Sequence, residues 1–272
     1  MPEKKHGGKE NRQHLGERIT GRDLLYAAVP ALVYTLLSNT VYAFITASGL
    51  IHSAIQLQAV SVSVCLLVFI WYAHREHLAV KSRKSTVFRY PAAFCYAAAV
   101  VMCGIVNNYI FAIIQSKFQD VSKGYAHVTE VFYQQELGLE LITLCVLAPI
   151  AEELVYRGFV YQRMRAKGSE TMAAVFSALL FGALHFNIVQ FFYASVLGIL
   201  LAHIVYKTGS LTAAAAAHMA ANLVSVLWTE TDWLDFLNQD GLKRYAAAGI
   251  CLVLTGIFIS YGNQLMRHER RV

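Results

Sequence analysis

Polar and charged residues in this chain are gathered into short clusters, and between the clusters run long uncharged, mainly apolar stretches. About 20 apolar residues is the length at which a helix crosses the hydrocarbon core of a bilayer. Eight such stretches are expected, at about residues 24–48, 55–73, 91–114, 139–162, 171–186, 190–206, 210–228 and 245–262. The fifth is short, so the turn Phe186-Asn187-Ile188 that joins it to the sixth is expected below the membrane surface. Pro30 and Pro149 fall inside spans, where bilayer helices tolerate them. The run Ala213–Ala217 presents small residues that let helices approach closely, which places the seventh span in the bundle interior. The pattern predicts an all-α, polytopic integral membrane protein of about eight transmembrane helices.

Composition agrees with the pattern and excludes other classes. Of 272 residues, 57% are apolar and only 15% charged, against about 45–50% and about 25% for a soluble domain. A soluble enzyme and a disordered chain are both excluded as readings on that basis. Cys65, Cys95, Cys103, Cys145 and Cys251 all fall within apolar segments and lack CxxC spacing, so they read as small buried hydrophobes rather than a disulfide framework. A net charge of +6 would ordinarily raise nucleic acid as a partner. Here the basic residues occupy loops between apolar segments, and no nucleic-acid partner is expected.

Those loops orient the chain. With the N-terminus inside, 19 of the 23 Lys and Arg residues fall on the inner side, and only Lys117, Lys123, Lys243 and Arg244 lie outside. The outer loops instead carry Asp120, Glu130, Glu136, Glu230, Asp232, Asp235 and Asp240. Both termini are therefore expected inside. Residues 1–23 read as a basic cytoplasmic segment with no cleavable signal, followed by a retained signal anchor. Residues 24–138 hold the first three spans, 139–228 spans four to seven, and 229–272 an outer loop, the last span and a basic cytoplasmic tail.

Charge at membrane depth costs about 2.5–3.5 kcal/mol per group, so adjacent carboxylates within a span call for a reason. Glu152 and Glu153 form such a pair, in Ala148-Pro149-Ile150-Ala151-Glu152-Glu153-Leu154-Val155-Tyr156-Arg157. Glu153 and Arg157 stand at i, i+4 with the acid first, the favourable helical order. Glu152 points about 100° away, with Tyr156 as its own i+4 neighbour. One carboxylate can thus be neutralised by Arg157 while the other faces a cavity. Two more i, i+4 pairs follow, Phe181 with His185 and His218 with Asn222. At ~1.5 Å rise per residue, Glu152, His185, His218 and Asn222 all fall within about 10 Å of one another in depth.

Glu-Glu-x-x-x-Arg (152–157), Phe-x-x-x-His (181–185) and His-x-x-x-Asn (218–222), in that order, resemble the CAAX protease and bacteriocin-processing family, once called the Abi family. These are integral membrane endopeptidases of about eight spans, and the resemblance covers roughly residues 139–228, which would then be the catalytic core. It implies Glu152 as general base, His185 positioning or deprotonating the water, and His218 with Asn222 donating to the oxyanion. Glu153 and Arg157 would hold the helix and tune its charge. The family is often labelled metalloprotease, and Glu152, His185 and His218 would be the zinc ligands in that case. His-Glu-x-x-His is absent and each ligand would come from a different helix, which favours a metal-free glutamate mechanism and leaves zinc as the alternative. Membrane-anchored peptides or proteins are the implied substrates, from CAAX-type or leader-type processing, with bacteriocin self-immunity a related role.

Other readings compete. A buried Glu, His and Arg set also marks ion pathways in transporters, and a non-catalytic immunity protein could keep the same polar clamp. Gly-x-Ser-Gly is missing around Ser195, and every Asp lies in a loop or at a span end, so serine and aspartyl intramembrane proteases are set aside. Asn107 and Asn108, polar within the third span, read equally as interhelical glue or cavity lining. His203, four residues before Lys207, reads as interfacial. Short loops and the lack of an appended domain suit a multi-pass protein of a bacterial plasma membrane.

Overall fold

A computed structural model describes residues 19–76, 89–117, 130–133, 135–231 and 242–269 of the chain. Much of the charge used for orientation, including Lys4 to Arg18, Lys81 to Lys84, Asp120, Lys123, Asp232 to Asp240, Arg270 and Arg271, lies outside the described residues.

Among the described residues the secondary structure is entirely helical, and it forms eight rods. Helix α1, Gly21–Ser48, starts at a capping box in which Thr20 and Asp23 bond reciprocally, and it stops at Gly49, whose φ of 68° suits glycine. Helices α2, Ala54–Arg75, and α3, Arg89–Lys117, follow. Rod α4 spans residues 137–167 and changes register twice. It is α-helical over Leu137–Ile142, π-helical over Thr143–Leu147, α-helical over Ala148–Glu153, π-helical over Leu154–Val160 and α-helical over Tyr161–Lys167. Helix α5, Glu170–Ala183, is capped by Ser169, and α6, Ile188–Thr208, by Asn187, whose side chain accepts from the backbone N–H groups of Val189 and Gln190. Helices α7, Leu211–Glu230, and α8, Leu242–Glu269, complete the chain.

Among the described residues six helices are long and apolar enough to cross a membrane, and they make this an integral membrane protein: α1, α2, α6, α7 and most of α3 and α8. The other two expected spans fall short for visible reasons. Helix α5 has 14 residues, about 21 Å against a hydrocarbon core of about 30 Å. Rod α4 is broken into short segments by its π turns and carries Glu140, Glu152, Glu153 and Arg157.

Polar contacts near one end of the bundle tie the rods together. Lys167 Nζ at the end of α4 lies 3.4 Å from Asp23 Oδ1 at the start of α1. Arg163 donates to the Tyr26 carbonyl (3.0 Å) and to the Tyr72 hydroxyl (2.6 Å), joining α4 to α1 and α2. Tyr96 of α3 donates to Asn263 Oδ1 of α8 at 2.9 Å, and His203 Nε2 of α6 lies 3.2 Å from the same oxygen. His203 is therefore a half-buried member of an interhelical contact. Asn263 was the unseen partner.

Small residues set the spacing in the interior. Ala214 and Ala217 of α7 are fully buried, as the alanine run suggests, and a Cβ on Gly104 of α3 would sit 3.8 Å from the Ala221 Cβ. Gly182 of α5 packs so closely on α6 that a Cβ there would lie 2.5 Å from the Phe191 carbonyl oxygen. Leu36, Phe44, Leu67, Trp71, Phe94, Leu252 and Val253 are exposed on the outer helices, where a bilayer supplies the apolar surroundings. All five cysteines are free, with Cys65, Cys95 and Cys145 buried.

Candidate active site

Rod α4 runs through the middle of the site, and its register changes decide what it presents. Ala148 N–H bonds the Thr143 carbonyl, five residues back. In that register the next carbonyl, Leu144, faces the nitrogen of Pro149, which has no hydrogen to give. Asn222 of α7 supplies the missing donor, its Nδ2 lying 2.8 Å from the Leu144 oxygen. The proline and the asparagine thus belong to one arrangement, although 73 positions separate them.

The two glutamates separate as their helical phases require. Glu153 and Arg157 are both fully buried and paired at 2.8 Å. Arg157 also donates to the Gly198 carbonyl of α6 (3.2 Å), and its guanidinium carbon sits 4.7 Å from the centre of the Phe181 ring. Glu153 has a second partner that the motif spacing did not indicate. Its Oε1 lies 3.0 Å from His218 Nδ1 on α7. A carboxylate only accepts, so Nδ1 carries a hydrogen and Nε2 is turned toward Glu152, with Oε2 of that residue 3.7 Å away.

Glu152 itself borders a cavity of about 350 Å³, whose lining includes His185, His218, Asn222 and Phe181. The four residues of the three motifs that were expected to converge do share one cavity. At His185 the Nδ1 lies 2.7 Å from the Phe181 carbonyl, one turn back on its own helix. A carbonyl only accepts, which assigns the hydrogen to Nδ1 and leaves the His185 Nε2 lone pair free to accept. The Phe181 ring stands edge-on to both histidines, with centroids 4.9 Å from His185 and 5.8 Å from His218. Phe181 is therefore the packing core between the two imidazoles.

The cavity also takes in side chains beyond the motifs. Asn107 and Asn108 of α3 line it, which settles their placement as lining, and so do Gln58, Gln190, Tyr193 and Ser225. Ser225 was legible, since it lies three residues after Asn222 and seven after His218 on the same helical face. Gln58 and Gln190 had the weaker signal of a lone carboxamide in an apolar stretch.

Zinc on Glu152, His185 and His218 is the metal arrangement that the resemblance implies. Among the described residues, no three His, Cys, Asp or Glu side chains come together closely enough to hold a metal ion. One nitrogen of each histidine is held, His185 by the Phe181 carbonyl and His218 by Glu153, which leaves both Nε2 atoms facing the cavity and is a second-partner pattern that metal-bound imidazoles share. As the three side chains stand, they do not form that zinc site.

Comparison with curated proteins and with solved structures gives no match. A family model does match, over residues 134–224, described as type II CAAX prenyl endopeptidase Rce1-like. That third of the chain holds both π turns, both glutamates, His185, His218 and Asn222, so the part of the protein that builds the cavity is similar to type II CAAX prenyl endopeptidases, the family its three motifs resemble.

Proposed function

We propose that this protein is an intramembrane endopeptidase of about eight spans that hydrolyses peptide bonds in membrane-associated peptides or proteins through a glutamate-activated water. The observation that carries this reading is the meeting of Glu152, His185, His218 and Asn222 in one cavity, within the segment that matches the endopeptidase family.

In the proposed reaction Glu152 takes a proton from water as its oxygen attacks the scissile carbonyl carbon. His185 Nε2, the free acceptor, holds the water's second hydrogen and fixes the direction of attack. The oxyanion of the tetrahedral intermediate is met by donors from α7. Asn222 has one Nδ2 hydrogen on the Leu144 carbonyl and a second to give. His218, its Nδ1 hydrogen held by the Glu153 carboxylate, turns Nε2 to the same place and donates from it in the doubly protonated form. Collapse of the intermediate breaks the C–N bond, and Glu152 returns its proton to the leaving amine. Glu153 and Arg157 touch no reacting atom in this scheme; they position His218 and hold α4 against α6.

Cleavage of a panel of membrane-anchored reporter peptides, prenylated CAAX peptides among them, by purified wild type and Glu152→Ala is the test. The expected result is processing by wild type alone, with equal yield of folded protein. Equal processing by both would refute the role of Glu152, and unchanged export or toxin resistance in cells carrying Glu152→Ala would favour a binding protein instead.

A further inference from the structure

The cavity has a direction, and that direction bears on which side of the membrane the substrate comes from. Glu152 lies at the midpoint of α4, and His218 just on the Ser210 side of the midpoint of α7. Among the described residues, the rest of the cavity lining comes from the middle of the helices or from the opposite half of the bundle. Gln58 is about 6 Å from the first residue of α2, Phe111 about 9 Å from the last residue of α3, and Ser225 about 8 Å from the last residue of α7. Phe132 and Tyr133, just ahead of α4, belong to the same end. Nothing from the Tyr161–Lys167 turns of α4 or the Leu211–Ala217 part of α7 reaches the cavity.

That polarity coincides with a polarity of charge. The far end, where α1 starts and α4 finishes, carries Arg22, Arg75, Arg163, Arg165, Lys167, Lys207 and Arg267, tied together by the Lys167–Asp23 and Arg163 contacts. The cavity end carries Glu130, Glu136 and Glu230 with Lys117, Lys243 and Arg244. Short loops rich in Lys and Arg stay in the cytoplasm, so the cavity reaches from mid-membrane toward the non-cytoplasmic face. The wall is also lower there. The α5–α6 hairpin turns over at Phe186, a residue 76% exposed and held at φ 54°, after a helix only about 21 Å long. His185, one residue earlier, stands at the top of that shortened wall.

We infer that the substrate of this site is a peptide segment presented from the non-cytoplasmic side of the membrane, with its scissile bond in the outer half of the bilayer, rather than a cytoplasmic C-terminal tail. This rests on the proposed hydrolytic reading for the word substrate, but the polarity of the cavity can be measured without any cleavage.

The experiment uses the full chain expressed in a bacterial plasma membrane, with single variants Gln58→Cys and Ser225→Cys in the cavity and Thr212→Cys at the opposite end of α7. Thr212 is exposed and sits next to the basic end. Each is treated with a membrane-impermeant maleimide in right-side-out and in inverted vesicles, with the wild type giving the background from its own five cysteines. Gln58→Cys and Ser225→Cys should label at least fivefold above wild type in right-side-out vesicles, and Thr212→Cys in inverted vesicles only. Labelling of Ser225→Cys from the same side as Thr212→Cys overturns the proposal. So does labelling of the two cavity variants from neither side when denaturation makes them reactive. In parallel, an anchored reporter with its cleavable segment outside should be cut and its mirror, with the segment in the cytoplasm, left intact. Cutting of the cytoplasmic reporter alone overturns the proposal. Outward labelling with neither reporter cut upholds the polarity and counts against proteolysis, which keeps the two claims separable.

Discussion

Removing the Arg157 guanidinium while leaving Glu153 in place should be one of the most damaging single changes in the bundle. Both side chains are fully buried, and their 2.8 Å contact is the charge pairing for Glu153, whose other partner is the His218 imidazole. Arg157→Met keeps the apolar length of the side chain and discards the charge, the bond to the Gly198 carbonyl and the contact with the Phe181 ring. Breaking one half of a buried ion pair costs about 3–5 kcal/mol, because the remaining charge is left uncompensated. At about 2–4 °C per kcal/mol for a chain of this size, thermal unfolding in detergent should fall by roughly 6–20 °C. Replacing both partners, in Glu153→Leu with Arg157→Met, removes the stranded charge, and an apolar pair of similar volume is often neutral or better. What persists is the loss of the acceptor at His218 Nδ1, about 1–3 kcal/mol for an unpaired buried group. The double variant should therefore melt well above the single one and still fail to cleave, since His218 has lost the carboxylate that orients it. Thermal denaturation in detergent and reporter cleavage read the two effects separately. A single variant within about 1 kcal/mol of wild type, or a double variant as unstable as the single, would refute the reasoning.

Asn222→Ala withdraws the donor from the Leu144 carbonyl and one donor from the oxyanion, so it should lower stability by about 1–3 kcal/mol and turnover by about 10²–10³-fold. An unchanged rate on the membrane-anchored reporter would remove Asn222 from the reaction. Gly182→Ala drives a methyl group against Ser195 Oγ and to within 2.5 Å of the Phe191 carbonyl oxygen, so the α5–α6 contact must open. Overpacking of that kind costs about 1–3 kcal/mol, and a melting point equal to wild type would show the hairpin to be looser than described. Dialysis against a zinc chelator should leave cleavage unchanged, whereas loss on chelation with recovery on added zinc would move Glu152, His185 and His218 into ligand roles.

The parts of the site that depend on a single helix were legible from spacing. Glu153 with Arg157, and the opposite phase of Glu152, follow from the 3.6-residue period, and the contacts at 2.8 Å and along the cavity wall bear that geometry out. The convergence of His185, His218 and Asn222 with Glu152 followed from depth counting, because helices in a bilayer keep a common axis. What the pattern concealed lies between helices. The bond from Glu153 to His218 crosses 65 positions, and no periodicity encodes it. The π turns were hidden for another reason: α- and π-helical registers use the same residue types, and only Pro149, which cannot donate, and Asn222, which bonds the Leu144 carbonyl in its stead, mark the first of them. The contact of His203 was hidden in the same way, since its partner Asn263 lies on the last helix, 60 positions away.

The most direct test of the central claim is to incubate purified wild type and Glu152→Gln with a membrane-anchored peptide in water enriched in oxygen-18, and to weigh the products. A water activated at Glu152 predicts one heavy oxygen in the new C-terminal carboxyl group of the wild-type product, and no product from Glu152→Gln. Product formed at the wild-type rate by Glu152→Gln would contradict it.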